Sequence, residues 1–122
     1  MKYLLIDDNP IDLLVNEKVI LNISSSSEIV KKQSGPEALE YLLENKQSLP
    51  DIILLDIKMP LMNGFEFLEA LEARQPELLS KMKIYMVSSS IDPLDHQRSK
   101  ENPNVKGFLE KPLQREVLIE EI

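Results

Sequence analysis

Residues 2–8 read KYLLIDD, an apolar run that ends abruptly in two acids. The pattern returns at residues 51–56, which read DIILLD, and Asp56 ends this second run. Nearly continuous apolar runs of this length are typical of strands covered on both faces of a parallel sheet. Carboxylates at the ends of buried strands raise the free energy unless a cation offsets their charge. These stretches therefore predict a parallel sheet whose edge collects acids and a cationic partner.

Strand-like and helix-like segments alternate along the whole chain. Strands are predicted at 2–7, 27–33, 51–56, 83–88 and 105–109, and helices at 10–22, 35–46, 65–75, 93–101 and 113–122. Pro10 fits the first position of a helix, with Asp8 or Asn9 as its cap. Five β–α units imply an α/β fold with helices on both faces of a parallel sheet.

The polarity of the strands predicts their order. Segments 27–33 and 105–109 carry lysines and a glycine, which edge strands tolerate. With strands two and five at the edges, the order 2-1-3-4-5 follows, and this is the flavodoxin-like doubly wound arrangement. Strands one and three are then neighbours, so Asp7, Asp8 and Asp56 converge at the carboxyl edge. Ser88 and Lys111 reach the same edge from strands four and five.

Composition limits the classes of protein that fit. The chain has 122 residues, no cysteine and a formal net charge of -7. It is expected to form one domain, 1–122, without disulfides. No basic stripe suits direct nucleic-acid binding, and no apolar stretch suits a membrane span or a signal peptide. A cytoplasmic protein is the expectation.

The three converging acids suit a hard divalent cation. Mg²⁺ prefers oxygen ligands and is commonly held by one or two carboxylates together with phosphate. The alternative is structural: one acid of the pair caps a helix, and Asp56 merely begins a loop. Because three neighbouring carboxylates repel each other without a cation, their convergence favours the metal. Asp56 then becomes the candidate nucleophile, since a carboxylate can attack phosphorus to give an aspartyl phosphate.

Two other residues at this edge suit a phosphoryl group. Lys111 stands before Pro112, which fixes the entry to the last helix, and its ammonium would stabilise developing charge. Ser88 can donate its hydroxyl to a phosphoryl oxygen. Each also has an ordinary alternative, as a surface lysine or a polar strand exit. His96 is the single histidine, lies in a polar helical stretch and is expected to be solvated.

Taken in order, these residues resemble the receiver domain of two-component response regulators, of the chemotaxis-regulator-like kind. The resemblance covers nearly the whole chain. The family's acidic pair resembles Asp7-Asp8, and its phosphoacceptor, followed by Met-Pro and then Gly, resembles Asp56 with Met59-Pro60 and Gly64. Its switch hydroxyl and its aromatic switch resemble Ser88 and Phe108. Its Lys-Pro pair resembles Lys111-Pro112.

The resemblance implies a phosphoacceptor in a two-component phosphorelay. Asp56 would take a phosphoryl group from a histidine kinase or a histidine phosphotransfer protein. Mg²⁺ would be held by Asp7, Asp8, Asp56 and the backbone carbonyl of Lys58. The chain would catalyse only its own phosphorylation and dephosphorylation, so it would not be an enzyme in the ordinary sense. The resemblance also implies a cis Lys111–Pro112 bond.

The resemblance further implies a switch and a control of phosphoryl lifetime. Ser88 and Phe108 would change the face formed by the fourth predicted helix, strand five and the fifth helix, for a downstream protein effector or a homodimer. Phe108 lacks the hydroxyl of a tyrosine, and Ser88 replaces the commoner threonine. Lys58 and Ser90 are the rate-modulating positions. Neither is an acid or amide suited to orient water, so self-hydrolysis is expected to be slower than in a Lys58→Asn variant.

The first predicted helix carries more apolar residues than a single buried stripe requires. They are Ile11, Leu13, Leu14, Val15, Val19, Ile20 and Leu21. Some of them must face solvent or a partner. In the resembled family this helix contacts the histidine-bearing helical bundle of the phosphodonor.

Two other functions stay open. An aspartate-nucleophile phosphatase of the haloacid dehalogenase type needs an acid two residues after the nucleophile, where this chain has Lys58. A receiver-like interaction module that is never phosphorylated is the second, although the intact set of acids and Lys111 weighs against it. An acidic loop after strand one disfavours a flavin-binding flavodoxin. The end at Ile122, inside the last predicted helix, fits either a stand-alone receiver or a fragment of a longer protein.

Overall fold

The computed structural model describes residues 1–89 and 92–122. Within these ranges the elements are β1 (Lys2–Ile6), α1 (Pro10–Ile23), β2 (Glu28–Lys32), α2 (Gly35–Glu44), β3 (Ile52–Asp56), α3 (Gly64–Arg74), α4 (Pro76–Leu79), β4 (Lys83–Ser88), α5 (Pro93–Glu101), β5 (Val105–Glu110) and α6 (Arg115–Glu121). None of the described helices combines the length and the hydropathy that a membrane span needs. Ser90, one of the predicted rate-modulating residues, lies outside the described residues.

The strands form one five-stranded sheet in the order β2-β1-β3-β4-β5, and all four pairings are parallel. The predicted flavodoxin-like order is therefore confirmed, with the more polar strands at both edges. The predicted elements are also present, with ends displaced by a few residues. Helix α4 is an addition. It has four residues and begins at Pro76, and it is too short to show a helical period in the sequence.

Two apolar layers enclose the sheet, because alternate residues of each central strand point to opposite faces. On one face Leu4, Ile53 and Ile84 pack with side chains of α2 and α3, including Leu42 and Phe67. The opposite face joins strand residues to the two helices at the chain ends. It contains Tyr3, Leu5, Leu54 and Tyr85 with Leu13, Ile20 and Leu118. Residues 52–57 are all buried, which leaves the strand end at Asp56 inside the protein.

The helix starts are set by side-chain caps. Asn9, and not Asp8, caps α1: its side-chain oxygen accepts from the backbone N–H of Ile11 at 2.9 Å. Asp8 thus remains exposed at the sheet edge. At α3, Asn63 and Glu66 form a reciprocal capping box, with both hydrogen bonds at 2.9 Å. These caps fix where each helix leaves the carboxyl edge of the sheet.

Candidate functional site

Strand register brings the predicted acids to one place. Ile6 of β1 lies opposite Leu55 of β3, so the residues that follow them, Asp7 and Asp56, end adjacent strands at the same level. Asp56 also lies opposite Val87 of β4, one residue before Ser88. Since all these strands are parallel, their ends open onto one edge, where open α/β sheets bind ligands.

Asp7, Asp8 and Asp56 form a compact group of carboxylates. One oxygen from each lies within 4.8 Å of the others. Asp7 and Asp56 are only 2% and 5% exposed, whereas Asp8 faces solvent. Oxygen ligands grouped in this way suit a hard cation such as Mg²⁺, which has access from the side of Asp8.

Lys111 supplies a positive charge to the same group. Its Nζ lies 2.7 Å from Asp7 Oδ2, 2.9 Å from Asp12 Oδ2 and 3.4 Å from Asp56 Oδ1. The Lys111 backbone N–H donates to the carbonyl of Ser88 at 3.0 Å, which ties the lysine to the end of β4. The Lys111–Pro112 bond is cis, as the resemblance implies.

The protein environment changes the acidity of both partners. Burial, followed by the charge of Asp7, raises the pKa of Asp56 to about 7, although Lys111 acts in the opposite direction. Burial works to lower the pKa of Lys111, but hydrogen bonds to Asp7 and Asp12 outweigh it, so that the pKa lies above its ordinary value. Lys111 is therefore a permanent cation at neutral pH, whereas without a metal the pKa of Asp56 lies close to neutral pH.

The loop after β3 approaches Asp56 closely at Gly64. The Gly64 N–H donates to the carbonyl of Ile57 at 2.8 Å. A Cβ atom placed on Gly64 would lie 2.6 Å from the backbone oxygen of Asp56 and 2.9 Å from Met86 Cε. The sequence suggests only a turn at Asn63-Gly64. The structure shows that glycine is needed because the backbone of the candidate nucleophile passes directly beside it.

Ser88 and Phe108 lie on β4 and β5, the two strands that follow β3 in the sheet. Ser88 is buried at the end of β4. Phe108 is half-buried on β5, opposite Met86, and packs against the apolar layer that contains α2 and α3. Its ring lies 4.8 Å, centroid to centroid, from that of His96 on α5. His96 is exposed, as expected, but the sequence gives no sign of its contact with Phe108.

Asp12 is the site residue that the sequence analysis misses. It lies in the first turn of α1, and its backbone N–H points to the cap Asn9 at 3.4 Å. An acid at that position has an ordinary explanation, since negative charge is favourable near a helix N-terminus. The sequence feature that could identify Asp12 as a site residue is its position in the helix that begins just after Asp7-Asp8. Its contact with Lys111 joins residues 99 positions apart in the chain.

Comparison with known proteins agrees with this geometry. The family model for the response regulator receiver domain matches residues 3–122. This chain belongs to the response regulator receiver family. A two-component response regulator from Cytophaga hutchinsonii has a crystal structure that aligns with a TM-score of 0.90 at 30% identity, covering 98% of this chain and 92% of that one. A response regulator from Legionella pneumophila aligns with a TM-score of 0.84 at 30% identity, covering 99% and 94%.

Curated relatives place receivers of this kind within longer proteins. The two-component response regulator ORR1 of Oryza sativa subsp. japonica is 31% identical over 118 residues, which is 93% of this chain and 50% of that protein. The sensor histidine kinase CheAY of Helicobacter pylori is 30% identical over 115 residues, 94% of this chain and 14% of that protein. This receiver thus spans half or less of the length of these two relatives.

The exposed surface of this receiver includes part of helix α1. Ile11, Leu14, Val15 and Leu21 are exposed, whereas Leu13 and Ile20 are buried against the sheet. The expectation that some apolar residues of the first helix face outward is therefore confirmed. Lys58, two residues after Asp56, is also exposed. Its influence on phosphoryl lifetime, like that of Ser90, stays a prediction.

Proposed function

We propose that this receiver is an Mg²⁺-dependent phosphoacceptor in a two-component phosphorelay, with Asp56 as the residue that carries the phosphoryl group. The observation that carries the proposal is the convergence of three carboxylates and the Lys111 ammonium at one sheet edge. Membership of the receiver family supports it. The chain then acts as a signalling phosphoacceptor and not as an enzyme on a separate substrate.

The donor set fits Mg²⁺. Asp7, Asp8, Asp56 and the backbone carbonyl of Lys58 would hold the ion, and all four are hard oxygen donors of the kind that Mg²⁺ prefers. When bound, the ion neutralises charge on the carboxylates and on the phosphoryl oxygens. Asp7 remains anchored meanwhile, since its Oδ1 accepts from the N–H of Asn9 at 2.9 Å.

The chain's own residues perform the transfer. A carboxylate oxygen of Asp56 attacks the phosphorus of a phosphohistidine; an O–P bond forms while the N–P bond breaks, and the imidazole nitrogen keeps the electron pair. Lys111 stabilises the charge on the phosphoryl oxygens through its ammonium. Ser88 is buried at the end of β4, next to the strand β3 that carries Asp56, and donates its hydroxyl to one of these oxygens.

Labelling tests the proposal directly. Incubation with Mg²⁺ and acetyl phosphate should add one phosphoryl group, detected by intact-mass analysis and mapped to Asp56 in a peptide digest. EDTA should abolish the labelling, because the acids then repel the incoming anion. A protein that stays unlabelled with Mg²⁺ and several phosphodonors would instead be an interaction module. Continuous release of phosphate from many equivalents of donor would favour a phosphatase.

Helix α1 is the proposed docking surface for a histidine kinase or a histidine phosphotransfer protein. Leu14 is 46% exposed, and Leu21 is exposed on the same helix. Leu14→Glu should slow phosphoryl transfer from a phosphohistidine protein by about tenfold, as loss of a central apolar contact does at interfaces. Labelling by acetyl phosphate should not change.

Leu21→Glu is the matched control for Leu14→Glu. It introduces the same charge on the same helix, roughly 10 Å further from the acids along the helix axis. Transfer rates are measured with a panel of purified phosphohistidine donors. Equal slowing by both variants would contradict docking near the N-terminal end of α1, and loss of acetyl phosphate labelling would indicate misfolding.

Phe108 is the proposed output switch. Phosphorylation adds about two negative charges beside Asp56, and Ser88 moves toward them, which leaves space for Phe108 to turn inward. Helix α5, strand β5 and helix α6 then present a changed face to an effector protein or to a second copy. Since Phe108 carries no hydroxyl to desolvate, the inward position should already be populated without phosphate.

Aromatic and methyl NMR with and without beryllofluoride measures the proposed switch. The signals of Phe108 and of neighbouring residues on α5 should shift when the mimic binds. In Ser88→Ala the mimic should still bind, but Phe108 should shift less. Unchanged Phe108 signals at full occupancy of Asp56 would show that this receiver signals by another route.

A further inference from the structure

The Lys111 ammonium is shared between three carboxylates, and its distances to them are unequal. Nζ lies 2.7 Å from Asp7, 2.9 Å from Asp12 and 3.4 Å from Asp56. The longest contact is therefore to the candidate phosphoacceptor. The ammonium is displaced toward Asp7 and Asp12, away from the residue whose phosphorylated form it would stabilise.

An ammonium has three N–H donors and no acceptor. In the structure three carboxylates lie within ion-pair distance of Nζ. When Asp56 is phosphorylated, its own long contact with Nζ can pass to a phosphoryl oxygen. A short contact there requires Nζ to move toward Asp56, which weakens its contact with Asp7 or Asp12. The carboxylates of the resting site therefore compete with the phosphoryl group for Lys111.

Burial decides which acid can release Lys111 at least cost. The Asp7 side chain is 3% exposed, so water cannot replace Lys111 there, and a bound cation would be the only other partner for its charge. The Asp12 side chain is 33% exposed, so water can replace the ammonium as its partner. Asp12 also lies outside the group of three acids that suits a metal ion.

We propose that Asp12 is a positioning residue that holds Lys111 in the resting state, and that Lys111 exchanges Asp12 for a phosphoryl oxygen when Asp56 is phosphorylated. This inference rests on the proposed function of Asp56. It gives helix α1 a direct connection to the site, since the carboxylate released by the exchange belongs to the first turn of α1.

The exchange predicts that Asp12 opposes binding of a phosphoryl group. In Asp12→Asn, Lys111 has one charged partner fewer, so it can turn to the phosphoryl oxygens without losing an ion pair. Partly exposed ion pairs change equilibrium constants by about two- to fivefold. Beryllofluoride, with Mg²⁺ present, should bind Asp12→Asn tighter than wild type by about this factor. Asp12→Glu, which keeps the charge, should stay close to wild type.

Glu110→Gln is the matched control for general charge removal. Glu110 is exposed and precedes Lys111 in the chain, but its carboxylate is not one of the three on Nζ. It should change beryllofluoride affinity much less than Asp12→Asn. If both variants bound beryllofluoride equally more tightly, the effect would come from net charge alone. Weaker binding in Asp12→Asn would show that Asp12 supports the bound state. Either result overturns the exchange.

The carboxyl ¹³C signal of Asp12 reports the exchange in the wild-type protein. When beryllofluoride is added to protein already saturated with Mg²⁺, this signal should move toward the value of a solvated carboxylate. An Asp12 signal that does not move at full occupancy contradicts the proposal. Failure of the wild-type protein to bind beryllofluoride at all would instead refute the proposed function of Asp56.

Discussion

Asp56→Asn should take up no phosphoryl group and, without a divalent cation, should be more stable than the wild-type protein at neutral pH. Loss of labelling follows because an amide is not a nucleophile toward phosphorus under these conditions. The gain in stability follows from electrostatics. Asp56 is buried next to Asp7, and this placement raises its pKa to about 7 from an ordinary value of 3.8. Ionised Asp56 therefore destabilises the folded state.

The contribution of Asp56 to the free energy of unfolding changes with pH in the opposite direction to that of a carboxylate stabilised by its partners. Between about pH 4 and about pH 7 the folded protein holds a proton on Asp56 that the unfolded chain has lost. The unfolded state then binds fewer protons, so the free energy of unfolding falls as pH rises through this window. The variant is uncharged at position 56 throughout. The two proteins should have similar stabilities near pH 4, and the variant should gain about 2 kcal/mol above pH 7, after a discount of roughly half for solvent screening.

Urea unfolding in EDTA, at several pH values, measures this difference. Asp51→Asn is the matched control, because Asp51 stands just before the other end of β3 and is exposed, with its carboxylate accepting from the backbone N–H of Lys2 at 2.8 Å. That variant should lose a little stability at all pH values. Mg²⁺ should stabilise wild type more than Asp56→Asn, so the difference in unfolding free energy between the two proteins becomes smaller when Mg²⁺ is added. Parallel pH curves for wild type and Asp56→Asn would disprove the raised pKa.

Gly64→Ala should destabilise the fold by about 2 kcal/mol, as overpacking at a rigid site does. The added methyl group would lie 2.6 Å from the backbone oxygen of Asp56 and 3.2 Å from Cα of Ile57. Neither atom can move without displacing the end of β3. Labelling by acetyl phosphate should also slow, because a displacement of Asp56 disturbs its geometry with Lys111.

Gly107→Ala is the control for Gly64→Ala. Its nearest neighbour would be Glu121 Oε1 at 2.8 Å, the far end of a flexible exposed side chain, followed by the Tyr85 ring at 3.3 Å. Movement of Glu121 can relieve the contact, so the change in unfolding free energy should stay within about 0.5 kcal/mol. Urea unfolding of both variants tests the pair. If Gly64→Ala proved as mild as Gly107→Ala, the loop beside Asp56 would be free to adjust.

Much of the candidate site follows from local chemistry that the sequence displays. Apolar runs such as residues 52–55 specify strands, and the acids that follow Ile6 and Leu55 mark their carboxyl ends. Helical segments between the strands require parallel pairing, and the greater polarity of β2 and β5 sends them to the edges. This information predicts the sheet order and the convergence of Asp7, Asp8, Asp56 and Lys111 before any contact is known.

Tertiary structure decides the contacts that depend on side-chain reach across the fold. Asp12 looks like an acid at a helix start, His96 like a solvated histidine and Gly64 like a turn residue. Their contacts with Lys111, Phe108 and the backbone of Asp56 arise only where separate elements meet. The physical reason is that residue type and spacing determine which element forms and which face it buries. Which partner a side chain reaches depends on the distances between packed elements, and these are set by the whole core.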